Sequence, residues 1–204
     1  VPPSDCNELV ERCIEQQLLY DPENPESREL DAVSIPEGHF TEGTNTASSR
    51  AWGREGDTRE RASRRFDIGT SLGYRGSNQE EYFDHSSRTL QLFGKLFDGM
   101  TNLVQVVYSA LEKLSVDKHV KTAEEKDGRK YGPAIIRAHY GGYSYQPHFD
   151  SVRNRENRTN YSVYDFAHQF AGVLVLQNAE EKGVTPHTRI HRCFWEPEIT
   201  PHLQ

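Results

Sequence analysis

The chain predicts a mainly β domain with helices packed on one side, and three observations carry that expectation. Apolar residues at helical spacing are confined to the stretch before Lys118. After Pro133 the apolar residues fall instead into short runs of strand length, separated by turn residues and polar loops. The order is therefore helices first and antiparallel strands after, the arrangement of a β-sandwich or barrel buttressed by helices. The 204 residues suit one domain, with 1–132 helical and loop-rich and 133–204 holding the core strands.

The elements follow in order. Asp5 and Glu8 have the spacing of a capping box, and Leu9, Val10, Cys13, Ile14 and Leu18 then share one helical face, so a first amphipathic helix is expected to end near Tyr20. From Asp21 to about Gln79 the chain is rich in Pro, Gly, Ser, Thr and charge, with isolated hydrophobics such as Phe40, Trp52, Phe66 and Leu72, and reads as loop. Ser86 to Leu114 carries Leu90, Phe93, Phe97, Met100, Val104, Val107 and Leu111 at steps of three and four. This is one long helix or two, with Gly94 and Gly99 as candidate breaks.

Lys118 to Lys130 is a charged connector expected to turn at Asp127-Gly128. Pro133 to Tyr140 is a short apolar strand, Gly141-Gly142 a turn, and Tyr143 to Asp150 a second strand, the two forming a hairpin. Ser151 to Gln169 reads as an insertion between strands, rich in Arg and aromatics. Phe170-Ala-Gly-Val-Leu-Val-Leu-Gln177 is the most apolar run and suits a strand buried on both faces; Arg189 to Trp195 is a further candidate strand.

Composition narrows the function. A net charge of -7 argues against non-specific binding to nucleic acid or to an anionic membrane. No apolar run is long enough to cross a bilayer and no signal-type segment opens the chain, so a soluble protein is expected, cytoplasmic rather than secreted, with Val1 marking a processed or trimmed N-terminus. Cys6, Cys13 and Cys193 are odd in number, and Cys6 and Cys13 lie about two helical turns apart, which argues against a disulfide framework. Asn157-Arg158-Thr159 and Asn160-Tyr161-Ser162 fit the glycosylation acceptor pattern, which matters only in a secreted protein.

One short motif carries chemistry. In His148-Phe149-Asp150 the two polar residues are separated by one, a spacing that puts both side chains on the same face of a strand. An imidazole and a carboxylate then converge on one point. A second histidine from a neighbouring strand would complete the two-His-one-carboxylate set that leaves one face of an octahedral Fe(II) open for further ligands. Alone, His-x-Asp is weak, because a strand histidine is more often a surface or hydrogen-bonded residue than a ligand.

The surrounding residues strengthen it. Tyr140-Gly-Gly-Tyr-Ser-Tyr-Gln-Pro-His-Phe-Asp150 resembles the segment of prolyl 4-hydroxylase-like Fe(II)/2-oxoglutarate oxygenases in which a Tyr, a Gly-containing turn and an aromatic lead into Pro-His-x-Asp. Gly172-Val-Leu-Val-Leu-Gln-Asn178 is similar to that family's buried strand. The likeness covers Ile135 to Asn178.

It implies a double-stranded β-helix, or jelly roll, with His148 and Asp150 as iron ligands and Fe(II), 2-oxoglutarate and O₂ as cofactor and cosubstrates, ascorbate supporting activity. It also implies that Tyr140 lies near 2-oxoglutarate, where its phenol would donate to a carboxylate; packing in the core is the other reading of Tyr140. In that chemistry 2-oxoglutarate loses CO₂ to become succinate while a substrate is hydroxylated, desaturated or cyclised, as in natural-product biosynthesis. Halogenases of the superfamily resemble the same motif with a small residue in place of the aspartate, which frees a position for chloride. Asp150 therefore argues against chlorination.

Two family features have no clear counterpart: the distal histidine on a late strand and the basic residue that anchors 2-oxoglutarate. His187 and His191 follow the buried strand too closely. Either His202 is the third ligand, or the ligand and anchor lie beyond Gln204 and the jelly roll is incomplete at its C-terminus; the second is the expectation, because a jelly roll needs about eight strands and only four or five are visible.

The insertion offers the substrate clue. Arg153 and Arg155, with Arg158, could grip carboxylates of an acidic, amino-acid-like small molecule through forked hydrogen bonds; the plainer reading is a solvated loop with local salt bridges. Trp52 and the Arg50 to Arg65 region read as a lid or a loop. A peptidyl-proline substrate is the alternative within the enzyme class. A non-catalytic β-sandwich interaction module is the alternative outside it. The sequence leaves the oligomeric state open.

Overall fold

Helix α1 spans Pro3–Glu15 and starts ahead of the expected capping box. Pro2 is its N-cap with no side-chain bond, and proline at the start is tolerated because the first N–H groups of a helix lack intrahelical partners anyway. Asp5 thus sits inside the first turn, where a carboxylate complements the helix dipole. The helix also ends before Tyr20. Gln17 takes a positive φ of 57°, and the amides of Leu18 and Leu19 return to the Cys13 carbonyl, folding both leucines onto the face already formed by Cys6, Leu9 and Cys13.

The computed structural model describes residues 1–19, 21, 24, 40–42, 64–140, 148–178, 188–190, 192, 194, 196 and 198–199. Strands β1 (Phe40–Glu42) and β2 (Arg64–Gly69), helices α2 (Leu72–Arg75), α3 (Gln79–Leu96) and α4 (Leu103–Leu114), strand β3 (Ile135–Tyr140) and a 3₁₀ turn (Ser162–Asp165) complete the described elements. The sheet order is β1-β2-β3, antiparallel throughout, with Phe40 opposite Ile68 and Ile68 opposite Ile136.

The central strand falls in a stretch expected to be loop. Its sequence, Arg-Arg-Phe-Asp-Ile-Gly, hides the strand because charged residues dominate it, Asp67 among them, whose partner lies on the neighbouring strand. Asp67, buried, stands directly opposite Arg137 with Oδ1 3.5 Å from its Nε. Ile68, fully buried, carries the contact between sheet and helices.

The stripe from Leu90 to Leu111 resolves into two helices. The break falls at Gly99, whose φ of +71° a side chain would resist, while Gly94 continues inside α3. Asn78 caps α3 through the amides of Glu80 and Glu81, and Asn102 caps α4 through those of Val104 and Gln105. Leu9, Leu18, Ile68, Leu92, Phe93 and Leu96 form the main core, with Ile136 and Ala138 of β3 against it. Burial of each large aliphatic side chain contributes roughly 1.5–3 kcal/mol before entropy is set against it. Beside this core α3 buries a polar seam: Thr70 Oγ1 lies 2.8 Å from His85 Nδ1 and 2.6 Å from Thr89 Oγ1, and Ser86 donates to the Lys130 carbonyl at 2.7 Å.

The connector turns where expected, with the Glu125 amide bonded to the Arg129 carbonyl at 2.8 Å. After β3 the expectations need correction. β3 matches the first strand of the expected hairpin, but its described partner is β2, and residues 148–150 are irregular rather than extended in a ladder; 141–147 lie outside the described residues. The run from Phe170 to Gln177 forms no strand and is not buried on both faces: Phe170, Val173 and Val175 are exposed, and only Leu176 packs on the core. An apolar run requires cover but does not specify a backbone partner, and no described strand pairs with it. The described residues of the Arg189 to Trp195 candidate likewise form no strand. The described residues hold three strands, so the jelly-roll expectation extends beyond them. Among them, no helix is long and apolar enough to cross a membrane.

Candidate functional site

Strand β3 ends at Tyr140, paired opposite Arg64, and after the intervening residues 141–147 come His148 and Asp150. Their side chains converge although the backbone between them is not in a ladder. His148 Nε2 lies 3.6 Å from Asp150 Oδ1, and neither side chain is fully covered. Two cis ligands at roughly 2.1 Å from a first-row metal stand about 3 Å apart, so a small closing movement would let both donors reach one ion. The pair thus fits two corners of an iron site. Among the described residues, no group of three His, Cys, Asp or Glu residues gathers, and His187, His191 and His202 lie outside them, as does the side chain of Tyr140.

The Ser151 to Gln169 insertion is an ordered loop built directly onto this pair. Ser151 accepts at its carbonyl from the amides of Arg155 and Glu156, and its hydroxyl oxygen accepts from the Asn154 amide at 2.9 Å. At the base, the Val152 amide donates to the Gln169 side-chain carbonyl at 2.8 Å, joining the two ends of the loop. At the far end, Tyr161 is buried among Tyr82, Phe83 and Tyr131, with ring centroids 5.4, 5.9 and 6.1 Å away. Such aromatic contacts add about 0.5–1.5 kcal/mol each beyond the area they bury.

The arginines of the loop are engaged locally. Arg155 donates to the Phe149 carbonyl at 3.3 Å and lies 3.7 Å from Glu156; Arg153 lies over the Tyr164 ring, 5.5 Å from its centroid, and donates to the Tyr164 carbonyl at 3.3 Å. Arg158 reaches across to α2, donating to the Gly73 carbonyl at 2.9 Å. Trp52 and most of the Arg50 to Arg65 region lie outside the described residues.

One residue that sequence reasoning did not single out is central to the loop. Glu125 of the connector accepts from the backbone amide of Ser162 at 3.0 Å, from the Ser162 hydroxyl and from the Tyr131 hydroxyl. Partial burial pushes its carboxyl upward, but those hydrogen bonds and the nearby Arg129 outweigh it, leaving Glu125 below the ordinary glutamate range. Tyr131 shifts upward in turn, through burial first and then through its bond to the Glu125 carboxylate. Charged residues in a charged connector give no sequence signal that one of them is a receptor for a serine 37 residues on.

No curated protein and no solved structure matches the chain significantly. A family model described as the carrier-protein-independent halogenase WelO5 matches residues 23–200, a span that contains the connector, the His148–Asp150 pair and the loop. The prolyl 4-hydroxylase-like branch finds no such support, whereas the iron- and 2-oxoglutarate-dependent superfamily and a free small-molecule substrate both do. The chain belongs to the WelO5 family of carrier-protein-independent halogenases, within the non-heme Fe(II)/2-oxoglutarate enzymes.

Proposed function

We propose that the protein oxygenates a free small molecule, by hydroxylation, desaturation or cyclisation, rather than halogenating it. The observation that carries this reading is Asp150 beside His148: a carboxylate stands 3.6 Å from the imidazole nitrogen, where a halogenating site would need the position left open for a halide. His148 and Asp150 would hold iron in a jelly roll, with a third ligand from outside the described residues, His202 being the candidate by spacing. When bound, the metal would activate O₂ at the expense of 2-oxoglutarate, releasing succinate and CO₂.

The chain's own residues do the rest. Asp150 supplies a negative charge that strengthens metal binding. Arg155 restrains the carbonyl between the two ligands. The Tyr140 phenol would donate to a carboxylate of 2-oxoglutarate, and the exposed faces of Arg153 and Arg155 would meet an acidic group on the substrate. Membership in a carrier-protein-independent family supports a free metabolite over a peptidyl proline.

A second reading, halogenation, is favoured by the family description itself. The two separate in one experiment: aerobic incubation with Fe(II), 2-oxoglutarate and chloride against a panel of acidic amino acids, small apolar amines and proline peptides, with succinate and product mass as readouts. Substrate-stimulated succinate with oxygenated or dehydrogenated product, lost in His148→Ala, is expected. A chlorinated product from the wild-type chain would reject oxygenation. Stimulation by peptides alone would reject the metabolite, and absence of both metal binding and turnover would leave the interaction module.

A further inference from the structure

We propose that Glu125 is a positioning residue for the metal site: its carboxylate locks the 151–169 loop in the shape that fixes Phe149, and with it His148 and Asp150. The proposal rests on the iron reading of that pair.

The restraints form a continuous path. Glu125 receives the Ser162 amide and hydroxyl, so residue 162 is held by two bonds from one carboxylate. The adjacent Tyr161 is seated among Tyr82, Phe83 and Tyr131, and Tyr131 also donates its hydroxyl to Glu125. From Tyr161 the path returns through its amide to the Arg158 carbonyl at 3.1 Å, and through the Arg158 amide to the Val152 carbonyl at 3.2 Å. Val152 is tied to Gln169, and Arg155 holds the Phe149 carbonyl between the two ligands. Metal sites lose affinity when the groups that orient their ligands are freed, because ordering then has to be supplied on binding.

A carboxylate suits this position because three donors converge on it and Arg129 stands near. Glutamine can keep the same geometry. The amide of Ser162 and the hydroxyl of Tyr131 both address one oxygen, which the glutamine carbonyl replaces, while the Ser162 hydroxyl at the other oxygen can turn to accept from the glutamine amide. Glu125→Gln therefore removes charge and keeps the anchor. Glu125→Ala removes the anchor.

The test uses the full chain as wild type, Glu125→Ala, Glu125→Gln and Tyr131→Phe. Hydrogen exchange is read over 151–169 and over α3, and affinity for Mn(II), a redox-silent stand-in for Fe(II), is measured with 2-oxoglutarate present. In Glu125→Ala exchange in the loop should rise while α3 stays protected, and Mn(II) affinity should fall about tenfold; Glu125→Gln should bind within about twofold of wild type. Should Glu125→Ala unfold globally, Tyr131→Phe decides, since it deletes one hydroxyl: faster loop exchange with weaker Mn(II) binding is expected, and no change in either overturns the proposal. Unaltered loop exchange in a folded Glu125→Ala, or raised loop exchange with wild-type Mn(II) affinity, overturns it alone. A wild-type chain that binds no Mn(II) overturns the iron reading and the proposal together.

Discussion

Val152 and Gln169 meet across the base of the loop that follows His148 and Asp150, the amide of one donating to the side-chain carbonyl of the other at 2.8 Å. This bond turns residues 152–169 into a closed unit resting on α3. Gln169→Ala should open the base without touching Tyr161. Loss of one such bond costs about 1 kcal/mol, so exchange of the Val152 amide should accelerate roughly fivefold while the amides near Tyr161 keep their protection. Equal acceleration at both ends would mean that the loop opens as a whole and that its base has no separate role.

The Glu125 anchor sets a pH window. Its carboxyl lies below the ordinary range in the folded chain, so the unfolded chain takes up the proton first as pH falls. The stabilisation is complete above the ordinary glutamate range and is lost as pH falls through the lowered folded value. Loop exchange, corrected for the intrinsic pH dependence of amide exchange, should stay level from neutral pH into that range and rise below it. Glu125→Gln should flatten the dependence, and a loss of protection centred near neutrality would point to another group.

On the proposed function Asp150 is an iron ligand, so it bears on reaction type as well as on metal affinity. Asp150→Gly should weaken Mn(II) binding by at least about tenfold, because a charged ligand is lost rather than a neighbour of one. Oxygenation should fall with it. Unchanged metal affinity, measured by titration, would place the ligand elsewhere.

The junction of sheet and helices should dominate stability. Ile68→Ala removes most of a fully buried side chain of β2 and should cost about 2–5 kcal/mol in urea unfolding, whereas Leu114→Ala, 80 % exposed at the end of α4, should stay within about 0.5 kcal/mol. Comparable costs would mean that α4 is covered in solution.

What could be read in advance follows the range of the forces involved. The helices were legible because Leu9 and Cys13, or Phe93 and Phe97, repeat at helical spacing whatever the rest of the chain does. The break at Gly99 and the turn at Asp127-Gly128 were legible for the same local reason. β2 was not, because Asp67 looks like a loop residue until Arg137 stands opposite it. His148 and Asp150 were legible as neighbours in the chain, and the structure keeps their side chains together on backbone that is not the expected strand. The grip of Glu125 on Ser162 was not legible, since it joins segments whose sequences each look like solvated loop. Arg158, offered as a ligand grip, is turned to the Gly73 carbonyl by a contact that spacing along the chain does not encode.

The exposed ribbon from Phe170 to Val175 bears on the behaviour of the material itself. A net charge of -7 should keep the chain dispersed, yet Phe170 and Val173, three residues apart, present most of their surface to water. Solubility will then be set by this ribbon rather than by the overall charge, with clouding at high protein or salt concentration and relief by mild detergent.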